Sequence, residues 1–366
     1  MFYHTLLSIV YYLYALFNPS DSKQYFRKII ENYRGENWSD YYGVSTTFIE
    51  WIGFPFIKYL NFNYEASMAL FSFLGFLGFV FFYRLVKERT VVKVKLYSID
   101  LFTLFFFLPN LHFWSASFGK GAIIFLGIAL FFYGLNKFQT GWFFLVLGAF
   151  ITYHVRPHIL FVIVVSTVLG MVFSGKGIGW FARMTVLAVS LVALAFIYQD
   201  VLELVGLEDA EGITDVFTLG QRSRIEDLSK ATSGVDISSY PLPLQLFTFL
   251  FRPLFFDAPG VLGLIVSIEN MFLLFITLYF LLRGGFKYIL TGDFLTKTAF
   301  FSFITVSIAL AQISGNLGLA IRQKSQVMFL FLFLILRFLD KVRTEELRLK
   351  WLKLNRIRKF KESRNS

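Results

Sequence analysis

Four cations, Lys120, Arg156, Arg252 and Arg322, each stand at or near the start of an apolar stretch. Read as a helix, such a stretch turns the positive end of its dipole toward the cation. That is unfavourable by about 0.3–1 kcal/mol unless an anion joins both. Arg156 is the sharpest case. It sits in Tyr153-His154-Val155-Arg156-Pro157-His158, between two segments otherwise empty of charge, and burying an unpaired guanidinium costs several kcal/mol. Its partner is either a structural carboxylate, with Asp21, Asp257 and Glu269 available, or the phosphate or carboxylate of a ligand. Glu269-Asn270, inside another apolar stretch, has two readings of its own: a packing or ion-pairing role, or a site or proton-relay role.

Metal chemistry is not expected. The chain has no cysteine, which excludes disulfides and thiolate metal sites. Its histidines are His4, His112, His154 and His158. Their spacing gives no paired-ligand motif, and Pro157 interrupts the one pair at helical separation.

The elements that position these residues follow from composition. The 366 residues are 56% hydrophobic and 16% charged, with mean hydropathy +0.63, too apolar for a single core in water. The expectation is an all-α, polytopic transmembrane bundle of about 10 spans. The spans are 2–17, 64–83, 97–109, 120–135, 141–154, 158–173, 181–199, 258–282, 298–314 and 323–339. Residues 48–60 and 242–256 are too short or too proline-rich to cross and read as re-entrant or interfacial helices. Strand-like alternation is absent, which argues against a β-barrel. Residues 2–17 lack a basic start and a small-residue cleavage site, so they read as a retained helix.

Short-loop Lys and Arg set the orientation. Arg84, Lys87, Arg89, Lys93 and Lys95 mark one side as cytoplasmic, and alternation puts Lys137, Lys176, Arg183, Arg283, Lys287 and Lys297 there too. The tail 340–366 carries ten Lys/Arg against four Asp/Glu, +6 of the net +11, and falls on the same side. Its charge reads as a solvated helix near anionic lipid and not as a nucleic-acid surface. Both termini are therefore expected in the cytoplasm, with 1–339 the membrane domain. The outer loops are 18–63, 109–119, 200–257 and 315–322. They collect the cations named above, although positive-inside bias should deplete Arg there. Turn and interface preferences explain many of their Gly, Pro, Asn, Trp and Tyr residues.

The chain resembles membrane polymerases of bacterial surface-polysaccharide assembly of the Wzy and EpsG type, and more distantly the GT-C glycosyltransferases. The resemblance rests on Asp21, Tyr25, Asp40 and Tyr41 in the first outer loop, and on the turn Pro109, Asn110, Phe113, Trp114, Gly119 and Lys120. It continues in Arg156-Pro157 and in the late turn Gly315, Asn316, Gly318 and Arg322. Arg252 to Gly263 has the Arg-x10-Gly spacing of some Wzy polymerases, without an evident second copy. The resemblance implies transfer of a sugar or oligosaccharide from a lipid pyrophosphate at the outer face of the inner membrane. Arg156, Arg252 and Arg322 would stabilise the leaving pyrophosphate, with Lys120, His112, His158 and Asn316 in the same substrate-binding set. Asp21, or Asp257, would be the base for the acceptor hydroxyl. Tyr25, Trp114 and Tyr153 would stack on sugar rings or anchor at the interface. The partners expected are the bilayer and the lipid-linked glycan, with no nucleic acid and no cofactor. Two other readings stay open: a transporter or flippase for a lipid-linked glycan or other anion, and an accessory subunit of a membrane complex.

Overall fold

The computed structural model describes all residues except 93, 97–98, 175–178, 181–182, 189, 193–194, 196–239, 259, 314–316 and 366. Apart from a two-residue pairing, Lys95–Leu96 with Ile99–Asp100, the regular structure is helical. Among the described residues three helices are long and apolar enough to cross a membrane: Tyr64–Arg89, Gly263–Leu282 and Phe294–Ala311. The shorter apolar helices have 10–17 residues, so most of the ten expected spans fall on helices too short to cross unaided.

The first part of the chain is α1 (Phe2–Phe17), α2 (Asp21–Ile30), α3 (Thr46–Phe54) and α4 (Tyr64–Arg89). Ser20 caps α2 by accepting from the Ser22 N–H, and Asn63 caps α4 by accepting from Ala66. Residues 48–60 do not form one helix. Pro55 ends α3, because it has no N–H to give, and Pro55–Tyr59 continue as a wider turn. The segment 97–109 also divides, into α5 (Leu101–Phe105) and α6 (Pro109–Ser115), with Pro109 again opening the second piece.

Contacts with α4 act as a ruler for depth. Tyr12 bonds Glu65, His4 bonds the Ser72 carbonyl and packs on Phe79, so α1 lies along α4 from its first turn to just past its middle. Phe102 packs on Tyr83, His112 on Phe79, and the Ser115 carbonyl against Gly75 near the middle of α4. There α5 and α6 stop. α7 (Lys120–Asn136) turns back and reaches Arg89 through Asn136. At about 1.5 Å per residue, the 26 residues of α4 measure about 39 Å and the 17 of α7 about 26 Å. α6 therefore ends near the middle of α4, and the turn into α7 carries Phe118 on to Met68 and Phe71.

A second hairpin, α8 (Trp142–Val155) and α9 (Pro157–Phe173), packs beside it. α7 and α8 approach closely because Gly134 faces the Leu145 backbone and Gly148 faces Phe131, with no room for a Cβ at either. Then follow α10 (Leu242–Phe251), α11 (Gly260–Leu282), α12 (Gly285–Thr291), α13 (Phe294–Ile313) and α14 (Leu317–Asn365). α9 meets α13 through Ser166–Thr305 and Gly170–Thr298. α14 is one 49-residue helix; burial along it ends at Asp340, where the basic tail begins. Of the expected span 181–199 the described residues are 183–188, 190–192 and 195, within or just after the short apolar helix Arg183–Val192, and most of loop 200–257 lies outside the described residues.

Candidate functional site

α2 and α3 sit over the tips of the two hairpins, and the site forms beneath them. Asp21 opens α2, and Arg322, in the first turns of α14, donates Nη1–H to its Oδ2 at 2.6 Å. The Arg322 guanidinium also lies over the Trp114 ring, 5.8 Å from its centroid. One turn after Asp21, Tyr25 is buried against Phe118 and next to Gly119. Burial, and then the Asp21 charge, push its phenol well above the ordinary range. The chain thus brings Asp21, Tyr25, Trp114 and Arg322 together from three separate segments.

Lys120 follows Gly119 and donates to Ser45 Oγ at 2.6 Å. Ser45 precedes α3 at φ 69° and ψ −116°, a region that L residues rarely occupy. Its own N–H donates to the His154 carbonyl at 2.6 Å, which pins the loop to the tip of α8. His154 Nε2 in turn meets the Tyr42 hydroxyl at 2.8 Å. Arg156 stands two residues beyond, as the last cap of α8 and the first of α9, with His158 in the first turn of α9 and the Tyr153 ring edge-on to His154. Lys120, Arg156 and Arg322 therefore arrive at one end of the bundle on three different helix tips.

The predicted site residues are not all in this group. Arg252 pairs with Asp257 inside one turn, where Asp257 also accepts from Leu254 N–H. Beside that turn lies a buried polar lattice. Lys324, only 1% exposed, donates to Asn270 Oδ1 and to the Leu250 carbonyl, and Asn270 donates to the Pro253 carbonyl. Glu269 accepts from the Asn110 N–H, whose side chain donates to the Ile321 carbonyl. His112 is elsewhere, deep against α4 and paired with His4. Asn316 lies outside the described residues.

Both carboxylates expected to serve as bases are thus held by arginines expected to bind substrate. Glu269 takes a backbone N–H. Each of the three carboxylates considered for Arg156 has another partner. Among the described residues no group of three His, Asp or Glu side chains is placed to hold a metal.

Sequence reading missed Glu50 and Ser45. Glu50 is fully buried on α3 and takes Arg34 at 2.6 Å and Lys28 at 3.7 Å. A carboxylate inside the apolar run Phe48–Leu60 was a signal available in the sequence. Nothing in the sequence marks Ser45, because its role depends on backbone conformation. No family model, curated protein or solved structure matches the chain.

Proposed function

We propose that the protein is a multi-pass protein of a bacterial inner membrane that transfers a sugar or oligosaccharide from a lipid pyrophosphate carrier during surface-polysaccharide synthesis. The observation that carries this reading is the convergence of Lys120, Arg156 and Arg322 at the α2–α3 end, together with a carboxylate and two aromatic rings. Such a group suits an anion with a sugar attached.

In this reading the chain crosses about ten times, with both termini in the cytoplasm and α2–α3 outside. Short helices such as α8 cross because neighbouring protein surrounds them. The charge pattern supports that orientation: Arg89, the last residue of α4, shares Asp293 with Arg337 near the start of the basic tail.

The reaction we infer uses the Asp21–Arg322 pair as a switch. An incoming pyrophosphate takes Arg322, which frees Asp21. The acceptor hydroxyl loses its proton to Asp21, its oxygen bonds the anomeric carbon, and the bond from that carbon to the pyrophosphate oxygen breaks. Arg322, Arg156 and Lys120 then hold the departing negative charge.

The test is replacement of Asp21, Arg156 and Arg322 singly by Ala in cells lacking the native copy, with long-chain surface polysaccharide measured at normal protein levels. Full-length glycan from all three variants would sink this reading. Transport by purified protein in vesicles, without any glycan product, would replace it with the flippase reading.

A further inference from the structure

His4 on α1 and His112 on α6 are 2% and 5% exposed, and their Nδ1 atoms lie 2.8 Å apart. The outward nitrogens fix the protonation. His4 Nε2 is 3.0 Å from the Ser72 carbonyl oxygen, and His112 Nε2 is 2.7 Å from the Phe106 carbonyl oxygen. A carbonyl only accepts, so each Nε2 carries a hydrogen. If both rings were neutral, the two Nδ1 atoms would then face each other lone pair to lone pair at hydrogen-bond distance. One more proton between them turns that repulsion into a charge-assisted hydrogen bond. We propose that His4 and His112 form a buried proton-binding site, with three protons on four ring nitrogens and one positive charge shared by the pair.

The surroundings suit a delocalised cation. The Phe79 ring is stacked face to face on His112, with centroids 3.9 Å apart and planes within 1°. Phe79 and Phe76 also flank His4, at 5.5 and 6.0 Å, and Tyr3 meets His112 edge-on at 4.9 Å. An aromatic face attracts a cation through its quadrupole. The ionisable groups around the pair are few. On α1 they are the Met1 amine and the Tyr3 hydroxyl. On α4 Glu65 lies along the same cavity, held by Tyr12. Beyond α6, Glu269 on α11 bonds the Asn110 N–H, two residues from His112, and interacts with the charge of Lys324 on α14.

The site adjoins a cavity. His4 forms part of the wall of a cavity of about 470 Å³ between α1 and α4, which it shares with Met1, Ser8 and Glu65. It also has a mechanical consequence. The protonated pair ties α1 to α4 through the Ser72 carbonyl and to α6 through His112. Loss of the proton leaves two lone pairs in opposition and pushes α1 away. The proposal rests on proton counting alone and stands apart from the sugar-transfer reading.

The test uses the full-length protein in lipid nanodiscs with 15N-labelled histidine rings. With four histidines in the chain, the spectrum is sparse, and His112→Phe assigns the pair. At neutral pH we expect three protonated nitrogens from His4 and His112, with coupling between their Nδ1 atoms across the hydrogen bond. Two protonated nitrogens without that coupling would overturn the proposal. So would a coupling pattern in which either ring is turned over. Should the His112 variant fail to fold, the wild-type coupling still decides. As a second readout, Thr5→Cys in this cysteine-free chain should react with a soluble thiol reagent several-fold faster once the pair has lost its proton. A rate that rises with pH only as far as thiolate formation requires counts against the latch.

Discussion

Arg322 and Asp21 stand 301 residues apart in sequence and meet at 2.6 Å. The contact closes the start of α2 onto the start of α14. It also leaves each group dependent on the other. If a pyrophosphate exchanges with Asp21, the two residues divide the reaction between them, and their variants should fail differently. Arg322→Ala should lower turnover by about 10²-fold or more, as expected when a donor to developing negative charge is removed. Arg322→Lys should restore part of it. Asp21→Asn should keep carrier binding and lose turnover, which a comparison of KM with kcat on purified protein would read.

Ser45 offers a stability test with a definite sign. Its φ of 69° and ψ of −116° cost an L residue on the order of 1–3 kcal/mol, whereas glycine adopts them freely. Ser45→Ala and Ser45→Gly lose the same hydroxyl contact with Lys120. Only the glycine removes the backbone strain. Thermal unfolding in detergent should therefore place Ser45→Gly above Ser45→Ala, and the opposite order would rule out a strained turn at this position.

Asp293, at the opposite end, predicts an acid dependence. Burial by itself would raise its carboxyl, but hydrogen bonds and charge from Arg337, with help from Thr296, outweigh burial and hold it at about 2. The folded state thus binds this proton more weakly than the unfolded chain, whose carboxyl titrates near 3.8. The stabilisation is fully present above about 4 and disappears as pH falls toward 2. Melting temperatures of wild type should drop across that window more steeply than those of Asp293→Asn.

The α7–α8 contact should be intolerant of any side chain at Gly148. A Cβ there meets the Phe131 backbone and the Gly127 carbonyl, neither of which can rotate away. Gly148→Ala should cost about 1–3 kcal/mol by overpacking, and Gly148→Val more. Loss of monodisperse protein on size exclusion, graded from Ala to Val, is the expected record.

Helices whose identity depends on local pattern were legible in the sequence. α1 has the bounds expected of it, α7 and α9 differ from theirs by one residue at one end, and α8 is shifted by one residue at both ends. Pro109 explains why 97–109 did not follow: the apolar content is continuous, but the backbone divides where proline removes a donor. The pairings were not legible. Hydropathy says that Arg322 and Arg252 need anions, and it does not say that Asp21 and Asp257 already supply them. The histidine pair was equally hidden, because His4 and His112 are polar residues 108 positions apart with no spacing rule between them.

α14 carries one further consequence. It anchors Arg322 to Asp21 near its start and Arg337 to Asp293 fifteen residues later, which at 1.5 Å per residue is about 22 Å along a single unbroken rod. A typical hydrocarbon layer is about 30 Å thick. If both charged belts sit at the polar boundary, lipid beside this helix is drawn thinner, and on the sugar-transfer reading proposed above a carrier phosphate would start several ångströms closer to the site than the bulk surface would place it.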